Sequence, residues 1–87
     1  MSRRLSEDEA GLVLLAEFAS RLRVAVGDTS FREVGRRAGL TASTVSRLLA
    51  GETAPDLLTV SRLERALGAE LWPADLAKRQ RSKVVRR

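Results

Sequence analysis

The run GRRAGLTASTVSRLLAG, residues 35 to 51, constrains this chain more than any other stretch. Apolar positions recur at helical spacing on both sides of Gly39-Leu40-Thr41, so two short helices must meet across three residues. A three-residue turn containing Gly joins helices at a steep angle. Gly39 supplies the positive φ that such a turn requires. Gly35 keeps a side chain out of the place where the second helix crosses, and Leu40 plugs the core from the turn.

The same punctuation divides the rest of the chain. Ser6 with Glu9 forms a capping box that starts a helix over about 7–26, with Leu15, Phe18, Ala19, Leu22 and Val26 inward and Gly27 at its end. Ser30 with Glu33 forms a second box before a helix over 31–38, with Phe31, Val34 and Ala38 inward. Thr41 caps a third helix over 42–50, with Val45, Leu48 and Leu49 inward, and Gly51 stops it. Pro55-Asp56 opens a fourth over 57–67, whose inward set is Leu57, Val60, Leu63 and Leu67, and Gly68 closes it. Trp72-Pro73 starts a short fifth helix over 73–80, with Leu76 inward and Trp72 as a plug between the last two helices.

The expected fold is all-α, a compact five-helix bundle over residues 1–77, followed by a basic, flexible tail over 78–87. The tail, KRQRSKVVRR, reads as a solvated end, a source of non-specific attraction to phosphate, or a helical extension used for pairing. Leu12, Val13 and Leu14 are consecutive and do not all reach one core. They are either ordinary exposed apolar residues beside the last helix or a weak homodimer contact.

Composition narrows the chemistry. The chain has no Cys and no His, which excludes disulfides, thiol chemistry and nearly every transition-metal site. It also lacks the commonest general base at neutral pH. Ser43 and Ser46 have no base to activate them, and Asp8-Glu9 sits at a helix start, where capping explains it. The reading is therefore no enzyme, no cofactor and no metal. Net charge is +5, and 14 of the 16 basic residues are Arg, the side chain best suited to phosphate and to guanine. A GC-rich genome yields the same excess. Arg3-Arg4 ahead of GLVLLA looks briefly like a leader, but SEDE intervenes and the apolar run is too short. The expectation is a cytoplasmic protein of a bacterium or infected host cell, with no membrane segment and no large C-terminal assembly domain.

On the third helix Ser43, Ser46, Arg47 and Ala50 share the outward face, and Ala42 and Thr44 lie at its N-terminal end. Short side chains with one long Arg suit a helix that settles deep in a major groove. The stretch SFREVGRRAGLTASTVSRLLAGETAPDLLTVSRLERALG, residues 30–68, resembles the Cro/C1-type (XRE-type) helix-turn-helix family, the fold of the lambdoid phage repressors. The AGLT turn, TVSRLLAG, the Pro that opens the fourth helix and the closing ALG carry the resemblance, which extends less specifically to about residue 77.

The resemblance implies a double-stranded DNA operator as partner. It implies base contacts by Ala42, Ser43, Thr44 and Arg47, and a phosphate contact at Ser30 and Phe31. A second phosphate contact is implied at about Thr53 to Leu57, largely through backbone amides. Thr41 and Ser46 are read as phosphate contacts beside these. Arg32 and Arg36 serve either phosphate or solubility, and Arg37 solubility. Many members carry Gln at the positions of Ala42 and Phe31, so the Gln-to-adenine pairing is lost here. Arg47 to guanine O6 and N7, with methyl groups of Ala42 and Thr44 on thymine, takes its place. The implied function is a sequence-specific transcriptional regulator, foremost a repressor of phage Cro-like or immunity type. A chromosomal regulator stands beside it. The alternative is an antitoxin or interaction module that uses the same scaffold to hold a partner protein.

Overall fold

The structure is a computed structural model that describes the backbone of residues 7–74 and the side chains of residues 9–74. Four helices follow one another, α1 (Glu7–Val26), α2 (Phe31–Ala38), α3 (Ala42–Leu49) and α4 (Leu57–Leu67), with no strand among the described residues. Of the expected fifth helix only Pro73 and Ala74 are described; Ser6, Leu76 and the tail lie outside the described residues.

Three helix starts are satisfied by their own side chains. Ser30 Oγ accepts the Glu33 amide at 3.1 Å, Thr41 Oγ1 the Thr44 amide at 3.1 Å, and Asp56 Oδ1 the Thr59 amide at 2.7 Å. Each such bond satisfies an amide that has no partner within the helix. Asp56 rather than Pro55 is therefore the cap of α4, and the Thr59 amide holds its carboxyl below the usual range. Gly39 closes α2 at φ 74°, and the Leu40 amide reaches back to the Gly35 carbonyl at 2.7 Å. That is the closing bond of a Schellman turn.

α2 packs against both α3 and α4, and α1 packs against α3. The core consists of Phe18, Leu22, Val26, Val34, Ala38, Val45, Leu48, Val60, Leu63 and Leu71. Leu40, Leu49, Leu67 and Trp72 are half-buried against it. Trp72 meets Phe18 of α1 with ring centroids 6.4 Å apart. Leu71 owes its place to Glu64, whose Oε2 accepts the amides of Leu71 at 2.8 Å and Trp72 at 3.0 Å. This bracket draws the segment after α4 back over the core.

Three expectations require correction. Phe31 is 42% exposed, because it is the first residue of α2 and projects beyond the elements that cover Val34 and Ala38. Leu57 is 84% exposed. At about 100° per residue it stands roughly 90° from the centre of the stripe formed by Val60, Leu63 and Leu67. Gly35 makes room for the turn rather than for the crossing of α3: a Cβ there would fall on the Leu40 carbonyl oxygen, with the carbonyl carbons of Leu40 and Thr41 at 3.2 and 3.3 Å.

Because that neighbour is backbone, Gly35→Ala should lower unfolding free energy by roughly 1–3 kcal/mol. A methyl group added at Gly11 of α1 would meet nothing within 4 Å, so Gly11→Ala should raise it by about 0.5–1 kcal/mol. Urea unfolding of the two variants beside the parent chain checks both signs.

Candidate nucleic-acid interface

The face of α3 that turns from the core carries Ala42, Ser43, Ser46, Arg47 and Ala50, all exposed. Val45 and Leu48 are buried on the opposite side, at 0% and 1% exposure, and set the rotation of the helix. Arg47 has no ion pair among the described residues. Thr44 is half-buried, and its hydroxyl is engaged: it lies 2.9 Å from the Thr41 hydroxyl. Thr41 thus serves the start of α3 twice, through the Thr44 amide and the Thr44 hydroxyl.

Ser30, Phe31 and Arg32 are exposed together at the start of α2. Ser30 keeps its hydroxyl hydrogen available, since the cap uses the oxygen as acceptor. Arg32 has no ion pair among the described residues. Thr53 is half-buried in the loop that leads to Asp56, and Leu57 is exposed at the first position of α4. The opening amides of a helix have no partner inside it, which suits them to an anion.

Arg36 differs from its neighbours. Its Nε donates to Glu33 Oε1 at 2.9 Å and its Nη2 to Glu33 Oε2 at 2.6 Å, a bidentate fork. Arg37 Nε donates to the same Oε2 at 2.8 Å. The Glu33 side chain therefore turns toward the end of α2, while its amide still completes the Ser30 cap. The Arg36 bond, followed by that from Arg37, pushes the Glu33 carboxyl from its ordinary 4.5 down to about 2. Sequence reading missed this triad, although spacings of three and four on one helix are its signature.

Leu12 is 65% and Val13 38% exposed, and Leu14 is half-buried. No cluster of His, Cys, Asp or Glu suited to a metal ion occurs among the described residues, and no described helix is long and apolar enough to cross a membrane.

A family model described as helix-turn-helix matches residues 20–71, more than half of the chain. The matched span opens in the second half of α1, contains α2, α3 and α4 entire, and ends at the buried Leu71. Neither a curated protein nor a solved structure matches the chain.

Glu33 has a pH consequence. Its carboxyl is more acidic folded than unfolded, so its pairing stabilises the protein fully above about 4.5 and is lost as pH falls toward about 2. Glu33→Gln should flatten the decline of the urea midpoint across that window and leave the curve near neutral pH parallel to the parent. Added salt should shrink the difference, because the group is exposed.

Proposed function

We propose that this chain, which belongs to the Cro/C1-type helix-turn-helix family of DNA-binding regulators, is a sequence-specific transcriptional repressor that acts by occupying its operator. The observation that carries the reading is the outward face of α3, where short side chains surround one guanidinium that has no ion pair among the described residues. Such a helix enters a major groove without steric conflict, and its single long side chain reaches the floor.

In this reading Arg47 grips guanine O6 and N7, and Ser43 bonds a base edge or a nearby phosphate. Ala42 offers a methyl group to thymine. Thr44 does the same through its methyl, since its hydroxyl is held by Thr41. Ser30, Phe31 and Arg32 lie along one phosphate rail. Thr53 and the first amides of α4 lie along the other, with Thr41 and Ser46 at the margins of α3. Arg36 stands apart from that set, because it shares Glu33 and lines the groove at the far end of α2. Regulation then follows from exclusion: a promoter covered by α3 and its flanks is closed to polymerase.

Arg47→Ala should cost roughly 1–3 kcal/mol on the preferred duplex and relax selection at one base pair. Binding selection from a randomised duplex pool, with parent and variant in parallel, reads both quantities. An equal loss on every sequence would reduce Arg47 to a phosphate contact. Binding that is weak, indifferent to sequence and abolished by moderate salt would turn the reading toward an interaction module for a partner protein.

A further inference from the structure

A groove of about 580 Å³ opens between the end of α2 and the second half of α4. Four arginines line it, Arg36 and Arg37 from α2 and Arg62 and Arg65 from α4. Arg36 and Arg37 share Glu33, whereas Arg62 and Arg65 have no ion pair among the described residues. Glu33 thus pairs with two of the four guanidinium groups, and Asp56 acts on Arg62 only at longer range, so positive charge is in excess along the groove.

The groove is separate from the operator face. α3 contributes nothing to its wall. Ser30 and Phe31 stand at the other end of α2, and Thr53 to Leu57 at the other end of α4. At 1.5 Å per residue, those offsets amount to about 8–12 Å along each helix. On each helix the arginines of the groove therefore lie away from the capped start.

We infer that this groove is a second phosphate-binding face, which holds the backbone of another duplex segment while α3 occupies the operator. The inference rests on the operator reading above, since it takes the α3 face to be filled by DNA. The wall decides the class of ligand. Among the described residues it offers, apart from the arginines, only Ala38, Ala66 and Gly39, and these form no recess for the large apolar or aromatic anchor that concentrates binding energy at protein interfaces. A phosphodiester strand needs no anchor; it needs fork-shaped donors spaced along a track. Glu33 helps here, because it holds two long side chains in place and leaves them further N–H groups to donate.

The test uses the full chain and two random-sequence duplexes, one immobilised and one labelled in solution. Protein loaded on the first duplex should capture the second. The double variant R62A/R65A removes two side chains without ion pairs, so it should fold, as its thermal unfolding will report. It should still bind the immobilised duplex but capture roughly a tenth of the labelled one, with a salt slope lower by about 1.8, two phosphates at about 0.9 each. Arg23→Ala, a charge removed from α1 outside the groove, should leave capture unchanged. Capture by R62A/R65A equal to the parent's overturns the inference. So does displacement of the labelled duplex by polyglutamate, at equal charge, more readily than by further duplex, which would assign the groove to an acidic protein. Equally ready displacement by tripolyphosphate would assign it to a small free phosphate and overturn it too. A parent chain that binds the first duplex and captures no second sinks this inference alone, whereas the operator reading fails on a separate result, that no sequence is selected from the randomised pool.

Discussion

The direction in which α3 points depends on one contact between backbone and backbone. The carbonyl of Leu40 lies where any side chain at position 35 would have to be, and the Leu40 amide is bonded to the Gly35 carbonyl. The turn is thereby folded flat onto the helix it leaves. With so close an approach, its three residues have little choice of trajectory, and Thr41 arrives in the extended conformation that a helix cap requires. Two hydroxyls and one amide then lock the first turn of α3. The outward presentation of Ser43 and Arg47 is thus set by a missing side chain eight residues before Ser43 and by a cap two residues before it.

The interior makes no use of charge. Among the described residues no polar or charged side chain is buried, and no buried side-chain polar atom lacks a partner. Aliphatic side chains and Phe18 fill the core, while caps and glycine turns satisfy the helix ends locally. Stability therefore draws little on the arginines, and their arrangement on the surface is free to follow ligands. Glu64 fixes tertiary structure directly, and it does so by accepting two amides rather than by pairing with a cation.

Most of this was legible in the sequence because the signals are local. Ser, Thr or Asp before a helix and Gly after it act within four residues, and the end of α1 and both ends of α2 and α4 fall where those residues put them. The third helix ends one residue earlier than expected, with Ala50 as its cap. What escaped was whatever depends on neighbours distant in the chain. Phe31 has the right phase for the core, but the first turn of α2 lies at its edge and leaves Phe31 42% exposed. Leu57 has an apolar side chain at the wrong phase, and its identity outweighed its angle. Leu71, 1% exposed, lies in an irregular segment where periodicity gives no signal, and only the Glu64 bracket explains its burial. The outward face of α3 was readable because its inward anchors, Val45 and Leu48, are unambiguous. The base and phosphate roles assigned to that face came from resemblance, not from spacing.

The pairing of the arginines sorts them more finely than their positions do. A guanidinium held by a carboxylate has lost part of its attraction for a second anion, and an unpaired one has kept it. Among the described residues Arg32, Arg47 on the face of α3, and Arg62 and Arg65 on α4 have no ion pair. Arg36 and Arg37, which line the groove with Arg62 and Arg65, are tempered by Glu33. A chain of net charge +5 with every guanidinium free would adhere to any polyanion from any side. Glu33 offsets part of the positive charge at the end of α2, where the groove lies, whereas α3 adds nothing to that groove's wall and keeps Arg47 without an ion pair among the described residues.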